Sequence, residues 1–146
     1  MRVWIILFIV LLWSLPAICG EKVLFDKQID VARSDFREVH FRVPDDAGGK
    51  VEFSGKFNTM GGLNDDITFS AFDQQNYVNW FNQHKHRKLV HFEKTKRSEF
   101  RFEAQPGQTY YFVLNNFFSS VSGKKVDLQV KLLTEDTPSS QEDTKP

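Results

Sequence analysis

From Val23 onward the chain alternates apolar and polar positions, and the alternation restarts after each turn. "EVHFRV" sets Val39, Phe41 and Val43 against Glu38, His40 and Arg42. "KVEFSGKF" puts Val51, Phe53, Gly55 and Phe57 on one face and Glu52, Ser54 and Lys56 on the other. "DITFSAF" repeats this with Ile67, Phe69 and Ala71, "SEFRFEA" with Phe100 and Phe102, and "KVDLQVKL" with Val126, Leu128 and Val130. Period two over such runs means strands with one dry and one wet face. Less regular runs at 23–31, 89–92 and 109–114 bring the expected strands to about eight. Turn signals separate them: "PDDAGG", "NTMGGLNDD", "QPGQ" and "SVSG". These elements predict an all-β fold, an antiparallel β-sandwich of the jelly-roll kind.

One segment breaks the alternation. In "DQQNYVNWFNQHK", residues 73–85, Tyr77, Trp80 and Phe81 have helical spacing, which predicts a short helical turn capping one end of the sandwich. The last residues, "TEDTPSSQEDTKP", lack apolar side chains, so residues 134–146 are expected to form a disordered polar tail. The folded domain is then 20–133.

The N-terminus has a different character. "VWIILFIVLLWSL" is apolar and uncharged, about the length of an export-signal core and short of the roughly 20 residues a spanning helix needs. Pro16 ends it, and Ala17 and Cys19 are small residues placed for a cut, so residues 1–19 read as a signal peptide and Gly20 as the mature start. An uncleaved anchor and a lipidated Cys19 are the alternatives; Pro16 and Ile18 fit a lipoprotein signal poorly. Cys19 is the single cysteine, so a mature chain from Gly20 has no disulfide and relies on its core. Fifteen phenylalanines, all but Phe8 beyond that signal, imply a well-filled core. The location predicted is secreted or otherwise exported, with no transmembrane span in the mature chain.

Charge narrows the partners. Nineteen basic and 19 acidic residues balance, which gives no electrostatic reason to propose nucleic acid or an anionic membrane as a partner. Chemistry is sparse too. No serine has a nucleophile-elbow context, and thiol catalysis is excluded for a cysteine-free mature chain. His84 and His86, with His91 following, are weak metal candidates, because Lys85, Arg87 and Lys88 oppose a dication beside them. Asn64, Asp65 and Asp66 offer calcium ligands but equally make turns. Tyr77 and Trp80 are ligand-contacting candidates that would stack on a sugar, with packing as the plainer use. No cofactor is expected.

"PGQTYYFVLNNFFSSVSGKKVDLQVKL", residues 106–132, resembles the end of a GOLD (Golgi dynamics) domain. Gly107, Tyr110, Tyr111, Asn116, Ser119, Lys124 and Lys125 fill places of that pattern, while Asn115 stands where aspartate is usual. Upstream, "VEFSGKF" and "DITFSAFD" look like the family's strand pair, and the likeness covers roughly 36–133. The motif residues read as structural: Asn115 and Asn116 would tie down the strand exit through backbone amides, and Phe117 or Phe118 would close the sandwich end. The resemblance implies adaptor work without catalysis, in the manner of small free-standing secreted members. The function expected is a non-enzymatic exported module for protein interaction, its protein partner unidentified. A carbohydrate- or calcium-binding accessory module is the alternative.

Overall fold

The computed structural model describes residues 19–135. Eight strands and one helix follow in the order β1 (Cys19–Val31), β2 (Phe36–Arg42), β3 (Val51–Met60), β4 (Ile67–Asp73), α1 (Gln74–Phe81), β5 (Val90–Thr95), β6 (Arg97–Ala104), β7 (Thr109–Asn115) and β8 (Lys124–Glu135). They form two four-stranded antiparallel sheets, β1-β8-β3-β6 and β2-β7-β4-β5. The all-β sandwich with one short helix is therefore as the alternation predicts. Residues 1–18 of the expected signal, and the tail beyond Glu135, lie outside the described residues. Thr134 and Glu135 belong to β8, paired with Gly20 and Cys19, so the strand runs past the boundary expected at 133.

The alternation also places the core. Val51, Phe53 and Phe57 of β3 are buried, as are Ile67, Phe69 and Ala71 of β4 and Val126, Leu128 and Val130 of β8. Aromatic rings interlock between the sheets: Phe53 lies 5.3 Å from Phe112 of β7, and Phe69 stacks on Phe100 of β6 at 4.8 Å. Rings in offset or edge contact add to the burial that holds together a domain whose single cysteine cannot form an internal disulfide. Gly55 faces inward where Phe100 needs the space, since an added Cβ would fall 2.4 Å from the Phe100 ring.

Three expectations need correction. β4 is dry on both sides, because Ser70 and Phe72 of its outer face are buried too. What covers them is α1 and the segment after it. The helix lies on the outer face of the β2-β7-β4-β5 sheet instead of capping the sandwich end. Trp80 stacks on Phe72 and meets Phe36 edge-on, and Tyr77 lies flat on Tyr111. Asp73 starts the helix by accepting the Asn76 N–H at 2.8 Å, as N-cap residues do. The strand expected at 89–92 runs instead over Val90–Thr95, with a register irregularity against β4 and a positive φ at Lys94.

Pairing register groups the connections into two ends. Val31 faces Lys124, Met60 faces Lys125, and Asn115 lies between Phe36 and Thr68. Loops 32–35, 61–66 and 116–123 thus share one end with the short β5–β6 connection. The pairing of Cys19 with Glu135 puts the two described termini at the other.

Candidate functional site

The shared loop end carries the unusual surface. Leu63 is 92% exposed, Val121 76%, Phe117 53% and Phe118 39%. Among the described residues the exposed large apolar ones are these four, Met60 at the end of β3, Val78 and Phe81 on α1, and Val23 at the far end of β1. All but Val23 cluster at this end or along the helix beside it. Leu63, Phe118 and Val121 line one shallow pocket, and Phe36 links the end to the helix by touching both Phe117 and Phe81. Concentrated exposed apolar surface of this kind marks an interaction site.

The motif residues are the frame behind it. Asn116 is fully buried and its Nδ2 donates to the carbonyls of Ala32, at 3.1 Å, and Ser122, at 3.0 Å. Its backbone N–H donates to the Asp35 carbonyl. One side chain thereby joins loop 32–35 to both ends of loop 116–123. The amide does not both donate and accept, as such a position suggests; Oδ1 has no partner among the described residues. Asn115 accepts the Phe117 N–H at 2.8 Å, the turn-forming bond expected of it. The Ser119 hydroxyl donates to the Ser122 carbonyl, and its own carbonyl accepts from Ser34.

Phe117 and Phe118 do not close the sandwich. The tight exit turns the small amide inward to satisfy carbonyls, and the two large rings turn outward. Lys94 sits over the Phe118 ring, its Nζ 5.3 Å from the centroid.

Lys124 is the residue whose role the motif alone does not convey. It is 4% exposed, and its Nζ donates to Asp66 Oδ1 at 2.9 Å. Its place was legible: Lys124 is in phase with Val126, Leu128 and Val130, on the dry face. Gly62 passes so close that a Cβ would stand 2.6 Å from Nζ, and its φ of 76° suits glycine. Asp65 accepts the Gly61 N–H and the Lys96 ammonium, which hold its carboxyl below the ordinary aspartate value, the lysine hydrogen bond being the larger cause. Both carboxylates considered for calcium are thus engaged by lysines. Lys125, beside the buried lysine, is exposed.

The remaining candidates separate. Tyr110 is buried and its hydroxyl accepts the Gln105 N–H at 2.8 Å, bracing the turn through Gly107. Tyr111 is half-buried between His40 and Tyr77, whose rings lie 5.1 and 4.0 Å away. Tyr77 and Trp80 each spend a ring face on the sheet, the faces a sugar would want. Burial, followed by Glu38 and Tyr111 nearby, pushes the Tyr77 hydroxyl pKa up. His86 places its ring edge-on to Phe72 with Nδ1 2.8 Å from the His84 carbonyl, while His84 is exposed. His91 pairs with Ser70 instead. No group of three metal-ligating side chains occurs among the described residues.

Among the described residues the Ser70–His91 pair is the one arrangement that looks like chemistry, with Oγ and Nδ1 2.9 Å apart. Serine catalysis needs an imidazole that can take a proton and a carboxylate to steady it. Here burial and then the Lys88 charge lower the His91 pKa, and Lys88 Nζ lies about 3.5 Å from both ring nitrogens. Ser70 is also buried. The pair is packing. A groove on the outer face of the first sheet, lined by Asp26, Lys56, Glu99, Asp127 and Gln129 among others, has two of its carboxylates engaged: Gln28 donates to Asp127 and Gln129 to Asp26.

No described helix is long and apolar enough to cross a membrane. A search of curated proteins gives no match to the chain. Residues 39–146 match the pattern of the emp24/gp25L/p24 family/GOLD, well over half of the 146 residues. With an eight-stranded sandwich and a match that spans most of it, the chain belongs to the emp24/gp25L/p24 (GOLD) family.

Proposed function

We propose that this protein is an exported, non-enzymatic module that holds a protein partner on the face built by α1. GOLD-family domains are protein-interaction modules, typically associated with the secretory pathway. The apolar run before Ala17 supports export. The observation that carries the choice of surface is α1 itself. Residues 74–83 contain no charged side chain in a chain that is 26% charged. Val78 and Phe81 stand exposed on it while Tyr77 and Trp80 lock the helix onto the sheet. Interface cores are depleted in charge and enriched in aromatics, and rigid anchors bind at the lowest entropic cost.

A photo-crosslinking side chain placed at Val78 in the producing cells tests this. It should yield a discrete protein adduct that Phe81→Asp abolishes. The same probe at Gln129, on the polar face of the other sheet, should yield none. Equal adducts from both positions would overturn the choice of surface, and hydrolytic turnover abolished by Ser70→Ala would overturn the non-enzymatic reading.

A further inference from the structure

We propose that the loop end displaying Leu63, Phe117, Phe118 and Val121 is a second site, which inserts into the surface of an anionic lipid bilayer. Two independent features point there. The first is shape. Leu63 and Val121 are the most exposed large apolar residues of the domain and project from separate loops. A protein partner would need a matching cavity for each tip, whereas a fluid acyl layer accepts them without complementarity. Apolar side chains carried on a cationic frame bind at the boundary between headgroups and acyl chains.

The second feature is charge. Whole-chain neutrality conceals a local excess: segments 32–35, 61–66, 94–97 and 116–125 hold six lysines and arginines against three carboxylates. Each of those carboxylates is already matched. Asp35 meets Arg37 at 2.5 Å, Asp65 meets Lys96 at 2.8 Å, and Asp66 meets the buried Lys124. Arg33, Lys94, Arg97 and Lys125 have no ion pair among the described residues. Lys94 stands beside Phe118, placed to meet lipid phosphates as that ring enters. Asp30 and Glu93 sit just outside these segments, on β1 and β5, with Asp30 opposite Lys125. Basic side chains near an anionic leaflet strengthen binding, and the attraction falls within a Debye length.

The motif supplies the rigidity such a site needs. Asn116 fixes the loop of Phe117, Phe118 and Val121, and the Asp66–Lys124 pair anchors the base of the Leu63 loop. The described termini lie at the opposite end, so a bilayer at this site would leave the α1 face open to its protein partner.

The test uses the full chain with Cys19→Ser and one new cysteine carrying an environment-sensitive fluorophore. One position is Leu63→Cys; the other is Gly48→Cys, where an added Cβ meets nothing within 4 Å. On phosphatidylserine-rich vesicles the Leu63 probe should brighten and be quenched by lipid-borne nitroxide. It should respond weakly on neutral phosphatidylcholine, and the response should fall as salt rises. The Gly48 probe should stay unchanged. Val121→Asp should weaken vesicle binding by tenfold or more without moving the melting temperature. Phe81→Asp should leave it intact, which separates this site from the α1 reading.

Three outcomes overturn the proposal. A Gly48 probe that responds as strongly as the Leu63 probe places binding at the terminal end. The Leu63 probe must respond to anionic vesicles, and silence on them removes the site. A Leu63 response that tracks protein concentration without vesicles would make the end a contact between copies.

Discussion

Lys124 Nζ meets Asp66 Oδ1 at 2.9 Å with both side chains largely withdrawn from water. The lysine is the more deeply buried of the two, so the two ways of breaking the pair are unequal. Asp66→Ala leaves an ammonium in the interior, which costs about 3–5 kcal/mol when a buried pair loses one partner. Lys124→Met fills much the same volume and leaves a carboxylate that reaches some solvent, so its cost is smaller. The double variant should recover much of the Asp66→Ala loss. Urea denaturation of the three variants checks this, and a larger cost for Lys124→Met than for Asp66→Ala would contradict the assignment.

Asn116 is the second support of that end. Asn116→Ala leaves the carbonyls of Ala32 and Ser122 without their donor and should cost about 1–3 kcal/mol. Asn116→Asp should cost at least as much, because a carboxylate cannot donate and would face two carbonyl oxygens. His84→Ala, on an exposed loop, should change stability by less than about 0.5 kcal/mol. The same denaturation assay reads all three.

Where a local pattern governs burial, the sequence was enough. Phe53, Phe57 and Phe69 are buried because alternation points them inward, and α1 forms where the alternation fails. What escaped depends on neighbours distant in sequence. Ser70 has the phase of a wet-face residue and is dry only because α1 and its return segment lie over β4. Phe117 and Phe118 have the composition of a plug. They are outside because Asn116 makes better use of the interior, satisfying carbonyls that a phenyl ring would strand. Lys124 reads as a surface lysine by type and as a core position by phase, and the phase was the better guide.

His91 provides a pH signature. Burial, with Lys88 second, holds its pKa below the ordinary 6.5, so the native state prefers neutral imidazole. Above 6.5 both native and unfolded chains carry it neutral, and its contribution to stability is complete. As pH falls below 6.5 the unfolded chain takes the proton first, and stability is lost until pH has passed the lowered native pKa. His91→Gln should flatten the stability profile across that window. The melting temperature measured from pH 8 down to about pH 5 checks it, and an unchanged slope in the variant would rule His91 out as the source.

Gly55 tests how tightly the two sheets are fitted. It lies inside β3 at an ordinary strand backbone, so a substitution there is judged on space alone. A Cβ at Gly55 would stand 2.2 Å from the Gln129 carbonyl oxygen of β8 and 2.4 Å from the Phe100 ring. The first neighbour is backbone paired to β3 in the ladder, and it cannot withdraw without opening that ladder. The second is held by stacking on Phe69 at 4.8 Å. Interiors packed at crystal-like density have no slack to absorb such an atom. Gly55→Ala should therefore destabilise the domain by about 1–3 kcal/mol or more, against the usual benefit of replacing glycine in a strand. Pairing it with Phe100→Leu, which removes the ring, should relieve part of the cost. A Gly55→Ala variant as stable as the parent would mean that β3 and β8 can separate freely, and that the close fit between the strands is not what places Phe100.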